Sequence, residues 1–282
     1  MTVLNHHKPR WFVAENVEGL LHRDQGRIFN RIFEELQGAG NGYVLTPHLY
    51  RFEQYGVPQS RCRLVIVGIS TEDAANGVVF KVPAPTTADN PRSASWALIH
   101  EAHAPDVIRP IAPKAANNVP RPINETVRKR LEHTLPGQNA WNADIPPEYS
   151  LKVKNAHLSM IYRRLSPDQP SYTITGNGGG GTHGYHWEEP RALTNRERAR
   201  LQSFPDSFVF HGGEESVRRR IGMAVPPIAA KHIFEAILKS YAGVDYPYVE
   251  ASIGPLAQRR LDAYITSLAS EPLVQPAKMP LR

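Results

Sequence analysis

The sequence predicts an α/β fold followed by a loop-rich region, and three observations support this. Residues 11–69 run strand, helix, strand, strand, the order of a sheet packed against helices. One of those strands is the run RLVIVGI at 63–69, apolar almost throughout. Proline then recurs from Pro83 to Pro147 at intervals too short for long regular elements, so the chain changes character near residue 82.

The first strand is the apolar run 11–14, which gives way to Glu15, Asn16 and Gly19. Charged groups just past a strand's carboxyl end stand where α/β sheets place ligands. Ile28, Ile32, Phe33 and Leu36 share one helical face, and Gly38 ends that helix. Residues 42–50 and 63–69 are two more strands, separated by Gly56, Val57 and Pro58. Within the proline-rich stretch only 125–133 has helical spacing, with Ile123, Val127 and Leu131 on one side. The β-prone run SYTIT at 171–175 leads into Gly176, Asn177 and the glycines 178–181. Thr194 and Glu197 have capping-box spacing, so a helix begins there and stops by Pro205. Pro226 and Pro227 open another, running to about residue 240 with Ile228, Ile233, Ile237 and Leu238 as its apolar face. A further helix is expected at 256–268, ahead of a proline-spotted end expected to be partly disordered.

Charge narrows the partners. The 282 residues carry 33 Lys plus Arg against 27 Asp plus Glu, a formal +6. The excess sits in 191–241, where nine basic residues meet five acidic ones and Arg191, Arg196, Arg198, Arg200 and Arg218 to Arg220 fall close together. Such a stretch is either a solvated helix face or a set of phosphate contacts. The single Cys62 excludes a disulfide framework and a thiolate-rich zinc site, and points to a reducing, cytoplasmic compartment. No apolar run approaches the roughly 18 residues of a membrane helix, and the opening MTVLNHHKPR lacks a secretory core. His100 with His103, and His183 with His186, are spaced i, i+3 but have no identifiable carboxylate or thiol partner, so no metal is expected. The glycine run lacks a Gly-Lys-Ser/Thr ending, which argues against a nucleoside-triphosphate loop.

Four segments belong together: FVAENVEG at 12–19, YGVPQSRCRLVIVG at 55–68, RALTNRERARLQSFPDSF at 191–208 and RRRIGMAVPP at 218–227. In this order they resemble the later motifs of the DNA cytosine-5 methyltransferases, from the Glu-Asn-Val segment onward. The resemblance implies a partial Rossmann-like, S-adenosylmethionine-dependent methyltransferase sheet lacking its first strands, with a smaller loop-rich target-recognition domain. It divides the chain into 1–82, part of the catalytic α/β domain; 83–190, the recognition domain; 191–241, a support helix and return to the catalytic domain; and 242–282, a tail.

Cytosine C5 is a poor nucleophile. Enzymes of this family add a cysteine thiolate to C6, which makes C5 able to take a methyl group, while a carboxyl group binds and protonates N3. The resemblance assigns that carboxyl to Glu15, followed by Asn16, where loop statistics alone would read a surface glutamate. Gln59, Arg61 and Arg63 match the family's Gln-x-Arg-x-Arg segment, whose arginines line the pocket of the extruded base. Arg61 and Arg63 share one side of an extended chain and are expected to converge on one ligand, a cationic strand edge being the alternative. Thr173 and Ile174 resemble the Thr-plus-aliphatic pair of family recognition domains. Arg191, Arg196 and Arg200 match the arginine-rich support helix, as DNA contacts or as scaffold ion pairs. Gly222, Met223, Ala224 and Val225 match the motif that completes the cofactor pocket, except that Met223 stands where the family has asparagine, which puts one polar contact in doubt.

The glycine-rich cofactor loop, the acidic ribose-binding residue and the Pro-Cys nucleophile loop have no counterparts here. Cys62 follows Ser60 and Arg61 in a different motif and is read as a small strand residue. The expectation is DNA cytosine-5 methylation of the restriction-modification type on double-stranded DNA. S-adenosylmethionine would be the donor, and an amino-terminal partner subunit would carry the Pro-Cys loop. The alternative is an inactive DNA-binding module derived from such an enzyme.

Overall fold

The computed structural model describes residues 1–101, 103–152, 159–176 and 181–253. In chain order its elements are α1 (Thr2–His7), β1 (Trp11–Val17), α2 (Arg27–Gln37), β2 (Tyr43–Arg51), β3 (Cys62–Ser70), α3 (Thr71–Ala75), β4 (Val82–Pro83), α4 (Ala94–Ile99), β5 (His100–Glu101), β6 (Ala104–Ile108), α5 (Glu125–Glu132), α6 (Asn195–Leu201), α7 (Glu214–Met223), α8 (Pro227–Ala242) and β7 (Tyr248–Val249). They fall into two compact units. One comprises 1–50, 62–84 and, of the described residues, 236–253; the other comprises 51–61 and 85–235.

In the first unit β3 lies between β1 and β2. Its six residues from Leu64 to Ile69 are all buried, which explains the continuous apolar run. β1 pairs with β3 antiparallel, Trp11 opposite Ile69 and Val17 opposite Arg63. Phe12 faces Gly68, where a Cβ would stand 2.2 Å from the ring, so only glycine lets the aromatic side chain lie across the neighbouring strand. Phe12 then meets Tyr43 edge-on at 4.9 Å. Phe29 and Leu36 of α2 close this core with Leu20, Leu21, Leu64, Ile66 and Ile253, each burial contributing about 2 kcal/mol. At the far end of the β1–β3 pair, Arg10 bonds Asp73 at 2.6 Å while Ser70 and Tyr241 donate to the same carboxylate. The Arg10 guanidinium holds the Asp73 carboxyl well below the usual carboxylate range.

The second unit is built from short helices and loops around two clusters. The larger joins Ala94, Ala97, Leu165, Ile174, Leu193, Leu201, Phe204, Phe210, Val217 and Ile221; the smaller joins Leu131, Ile161, Tyr162, Tyr185 and Ala192. Thr194 and Glu197 do form the capping box: Thr194 accepts from the Glu197 amide at 3.1 Å and Glu197 accepts from the Thr194 amide at 2.7 Å. β5 and β6 form a two-stranded antiparallel pair.

Several expectations change. β1 continues to Val17, so Glu15 and Asn16 stand within a strand and not in a loop beyond it, because β3 supplies pairing partners that far. The run 171–175 is no strand. Its recorded pairing is a single bridge, Ser171 to Gln59, since β-prone residues form a ladder only where a partner strand runs beside them. Leu238 is 63% exposed and lies off the buried face of α8. The helices α1, α3, α4 and α7 have no counterpart in the sequence reading. Glu214–Ala242 is apolar enough to resemble a membrane span, with mean hydropathy 1.3, but it is two helices broken at 224–226 and is partly buried. The expected helix at 256–268 and the glycines 178–180 lie outside the described residues.

Candidate functional site

In the first unit the sheet itself brings Glu15 and Arg63 together. Glu15 and Val17 share one face of β1, and Arg63 sits opposite Val17, so the two charged side chains are diagonal neighbours on one face. Arg63 Nε lies 3.0 Å from Glu15 Oε1, with the side chains 14% and 27% exposed. Nη1 of Arg63 donates to the Cys62 carbonyl, which fixes the guanidinium from behind. Glu15 Oε2 has no partner among the described residues. The pair is therefore a partly exposed carboxylate held through one oxygen by an arginine. Asn16 points to the opposite face, its side chain accepting from the Val17 amide. The cleft of about 330 Å³ around Lys8, Arg10, Asn41 and Asp73 lies at the other end of β1, roughly 13 Å from Glu15 along the strand, and is not part of this arrangement.

In the second unit Gln59 and Arg61 are structural ties. Gln59 is fully buried; its Nε2 donates to the Leu201 carbonyl and its Oε1 accepts from the Ile174 amide. Arg61, 3% exposed, donates to the carbonyls of Ile174, Gly222 and Ala224, each at 3.2 Å. Thr173 donates to the Ser60 carbonyl at 2.8 Å. Three segments singled out by sequence, at 59–61, 173–174 and 222–224, are thus brought together, but as a clamp. The expectation that Arg61 and Arg63 converge on one ligand is overturned: Arg61 serves three backbone carbonyls, and Arg63 pairs with Glu15.

Gly222 packs so closely on residues 175–176 that a Cβ would lie 2.1 Å from the Gly176 nitrogen. The carbonyls of Gly222 and Ala224 belong to Arg61, the Ala224 amide bonds back to Arg220, and the Met223 side chain is 66% exposed with no hydrogen to donate. Of the segment 222–225, the Gly222 and Ala224 carbonyls and the Ala224 amide are thus engaged within the protein, and Met223 offers no side-chain donor.

The three arginines of the support segment are scaffold. Arg191 is held between Glu189 and Glu197. Burial alone would lower its pKa, and the two carboxylates more than offset that. Arg196, fully buried, donates to the carbonyls of Ala116, Pro205 and Phe208. Arg200 pairs with Asp206 at 2.5 Å and donates to the carbonyls of Leu98 and Arg109. Carbonyls that no helix or strand satisfies are what such buried guanidiniums stabilise. As direct DNA contacts Arg196 and Arg200 are therefore corrected, since neither reaches solvent. Arg198 of α6 and Arg218 of α7, which the sequence placed in the same basic cluster without assigning them a site role, are buried at 4% and 6% exposure.

The C-5 cytosine-specific DNA methylase family matches residues 1–239, and the chain belongs to that family. It is 52% identical over 250 residues to the type II methyltransferase M.BbvI of Brevibacillus brevis, covering 88% of this chain and 63% of that protein. It is 40% identical over 239 residues to the type II methyltransferase M.NgoFVII of Neisseria gonorrhoeae, covering 85% and 61%. The chain thus spans about six tenths of the length of these curated relatives. A crystal structure described as that of a prophage-encoded DNA modification methyltransferase from Escherichia coli superposes with a TM-score of 0.61 at 22% identity, over 85% of this chain and 72% of that one, a likeness of fold.

Proposed function

We propose that this chain forms the base-binding and DNA-recognition part of a DNA cytosine-5 methyltransferase of the restriction-modification type, acting on double-stranded DNA in the cytoplasm. The observation that carries the proposal is the Glu15–Arg63 pair, which falls in the family-matched region and presents a fixed carboxylate. In this reading Glu15 binds the N3 edge of a flipped cytosine and carries the proton there, while Arg63 holds it in place; Asn16, on the opposite face, accepts from the Val17 amide. S-adenosylmethionine, the donor that family membership implies, supplies an electrophilic methyl group when bound. The second unit, with residues 85–190 at its centre, is the recognition domain. Gln59, Arg61, Thr173 and Ile174 fix its shape, as do the segments at 191–200 and 222–225.

The thiolate that attacks C6 comes from outside these 282 residues, on the same polypeptide or on a partner subunit. Two observations support this. Cys62, the single cysteine, opens β3 in the arginine motif, and β1, with β3 on one side only among the described residues, is an edge that a further strand would complete.

The test is labelled S-adenosylmethionine with duplex DNA, the chain alone and with an amino-terminal methyltransferase half carrying a Pro-Cys loop. Label at cytosine C5 is expected only with both halves, and Glu15→Gln should lower the rate about 100-fold or more while DNA binding persists. Incorporation by the chain alone would remove the need for the second half. Undiminished activity of Glu15→Gln would remove the role of Glu15, and DNA binding that no added half converts to methylation would favour an inactive module.

A further inference from the structure

Between α6 and α7 of the second unit is a recess of about 20 Å³ whose walls include Arg121, His183, Thr194, Asn195, Arg198 and Arg218. Its charge is unbalanced. Arg198, 4% exposed, has no ion pair among the described residues and bonds the His183 carbonyl. The carboxylate nearest it in sequence, Glu197, is committed to Arg191 and to the Thr194 amide. Arg218, 6% exposed, reaches Glu215, whose side chain is 77% exposed, and bonds the His183 ring nitrogen at 2.5 Å. Arg218 Nε is buried without a hydrogen-bond partner among the described residues. Arg121 pairs with Glu214 at 3.0 Å, both about half exposed. Three guanidiniums therefore face two carboxylates that solvent already screens, so those pairs are cheap to open.

The local field has an internal witness in His183, whose pKa is pushed down to about 4, by burial first and then by Arg218, Arg198 and Arg121. An uncompensated buried guanidinium is costly, and an anion relieves it. A space of this size takes one water or one oxygen atom and excludes a base or a sugar.

We infer that this recess receives a single non-bridging oxygen of a DNA backbone phosphate, held by Arg218 and Arg121 with Arg198 behind them. The inference rests on the DNA-binding reading above and supplies what Arg196 and Arg200 cannot, a phosphate contact that fixes the register of the second unit on the duplex. The shared chemistry is a tetrahedral oxyanion, and the experiment separates its two sources.

Binding of the full 282-residue chain to duplexes of several sequences is measured across a salt series, for wild type, Arg121→Gln and Arg218→Gln, with melting curves to confirm folding. Each variant should lose affinity about 3- to 10-fold, equally for all duplexes, and the slope of log K against log salt should shrink by about one. An unchanged slope in Arg121→Gln, whose side chain is about half exposed and, among the described residues, pairs only with the equally exposed Glu214, overturns the inference even if Arg218→Gln fails to fold. Stabilisation of wild type by millimolar inorganic phosphate, lost in the variants, together with unchanged DNA slopes would assign the recess to a free anion and overturn it as well. Absence of DNA binding by wild type would instead overturn the reading on which it rests.

Discussion

Arginines that stand as one basic run in the sequence part company in three dimensions according to what each side chain meets. Arg196 and Arg200 end on carbonyls and on Asp206, so their charge is spent on holding loops. Arg200→Met removes one half of a buried pair and strands Asp206; a loss of about 3 kcal/mol, read from denaturant unfolding, is expected. Gly222→Ala should cost at least as much as the roughly 1–3 kcal/mol of ordinary overpacking, because the contact is with backbone and has no flexible end to yield. Cys62→Ser in the two-half assay should change the methylation rate about twofold or less, whereas a nucleophile replaced by serine would abolish it. The motif residues themselves were legible in the sequence. What they hold was not, since Arg61 and Arg63 differ only in which carbonyl or carboxylate tertiary structure places within reach.

The elements most easily read were those whose signal is local. The helix α2, the continuous apolar β3 and the capping box of α6 follow from spacing alone. Thr194→Ala removes that cap and should lower stability by about 1 kcal/mol, measurable as a shift of the unfolding midpoint without change of slope. The end of β1 and the fate of residues 171–175 were illegible for one reason: strand extent is decided by the partner, and partners lie far away in sequence. α7 escaped notice because its buried face contains Val217, Arg218, Ile221 and Gly222, a mixture that does not read as an apolar stripe.

For the whole molecule, acid stability follows from its buried imidazoles. Burial pushes His48 and His183 down to about 4 and also lowers His186. The folded state keeps these rings neutral while the unfolded chain, titrating near 6.5, takes up protons, so stability falls as pH drops from about 6.5 towards 4. Asp73 acts in a lower window, its lowered pKa stabilising the fold above the ordinary carboxylate value near 3.8 and losing that contribution below it. Melting temperatures across this range should therefore decline in two stages, and Asp73→Asn should flatten the second. The +6 charge was legible as a suggestion of a polyanion and the change of character near residue 82 as a division of the chain; that 51–61 joins 85–235 was not, because it depends on contacts that cross most of the chain.

The clamp at Arg61 also sets a schedule for biogenesis. Its acceptors on Gly222 and Ala224 lie 161 and 163 residues further along, so the clamp cannot close until that stretch has been made. At the usual rate of about 5–20 residues per second, the segment 59–61 waits roughly 8–30 s on the ribosome with its buried side chains uncovered. Contacts of such range also slow refolding of the finished chain. Growth at lower temperature or with added chaperones should raise the soluble yield more than any change to the surface.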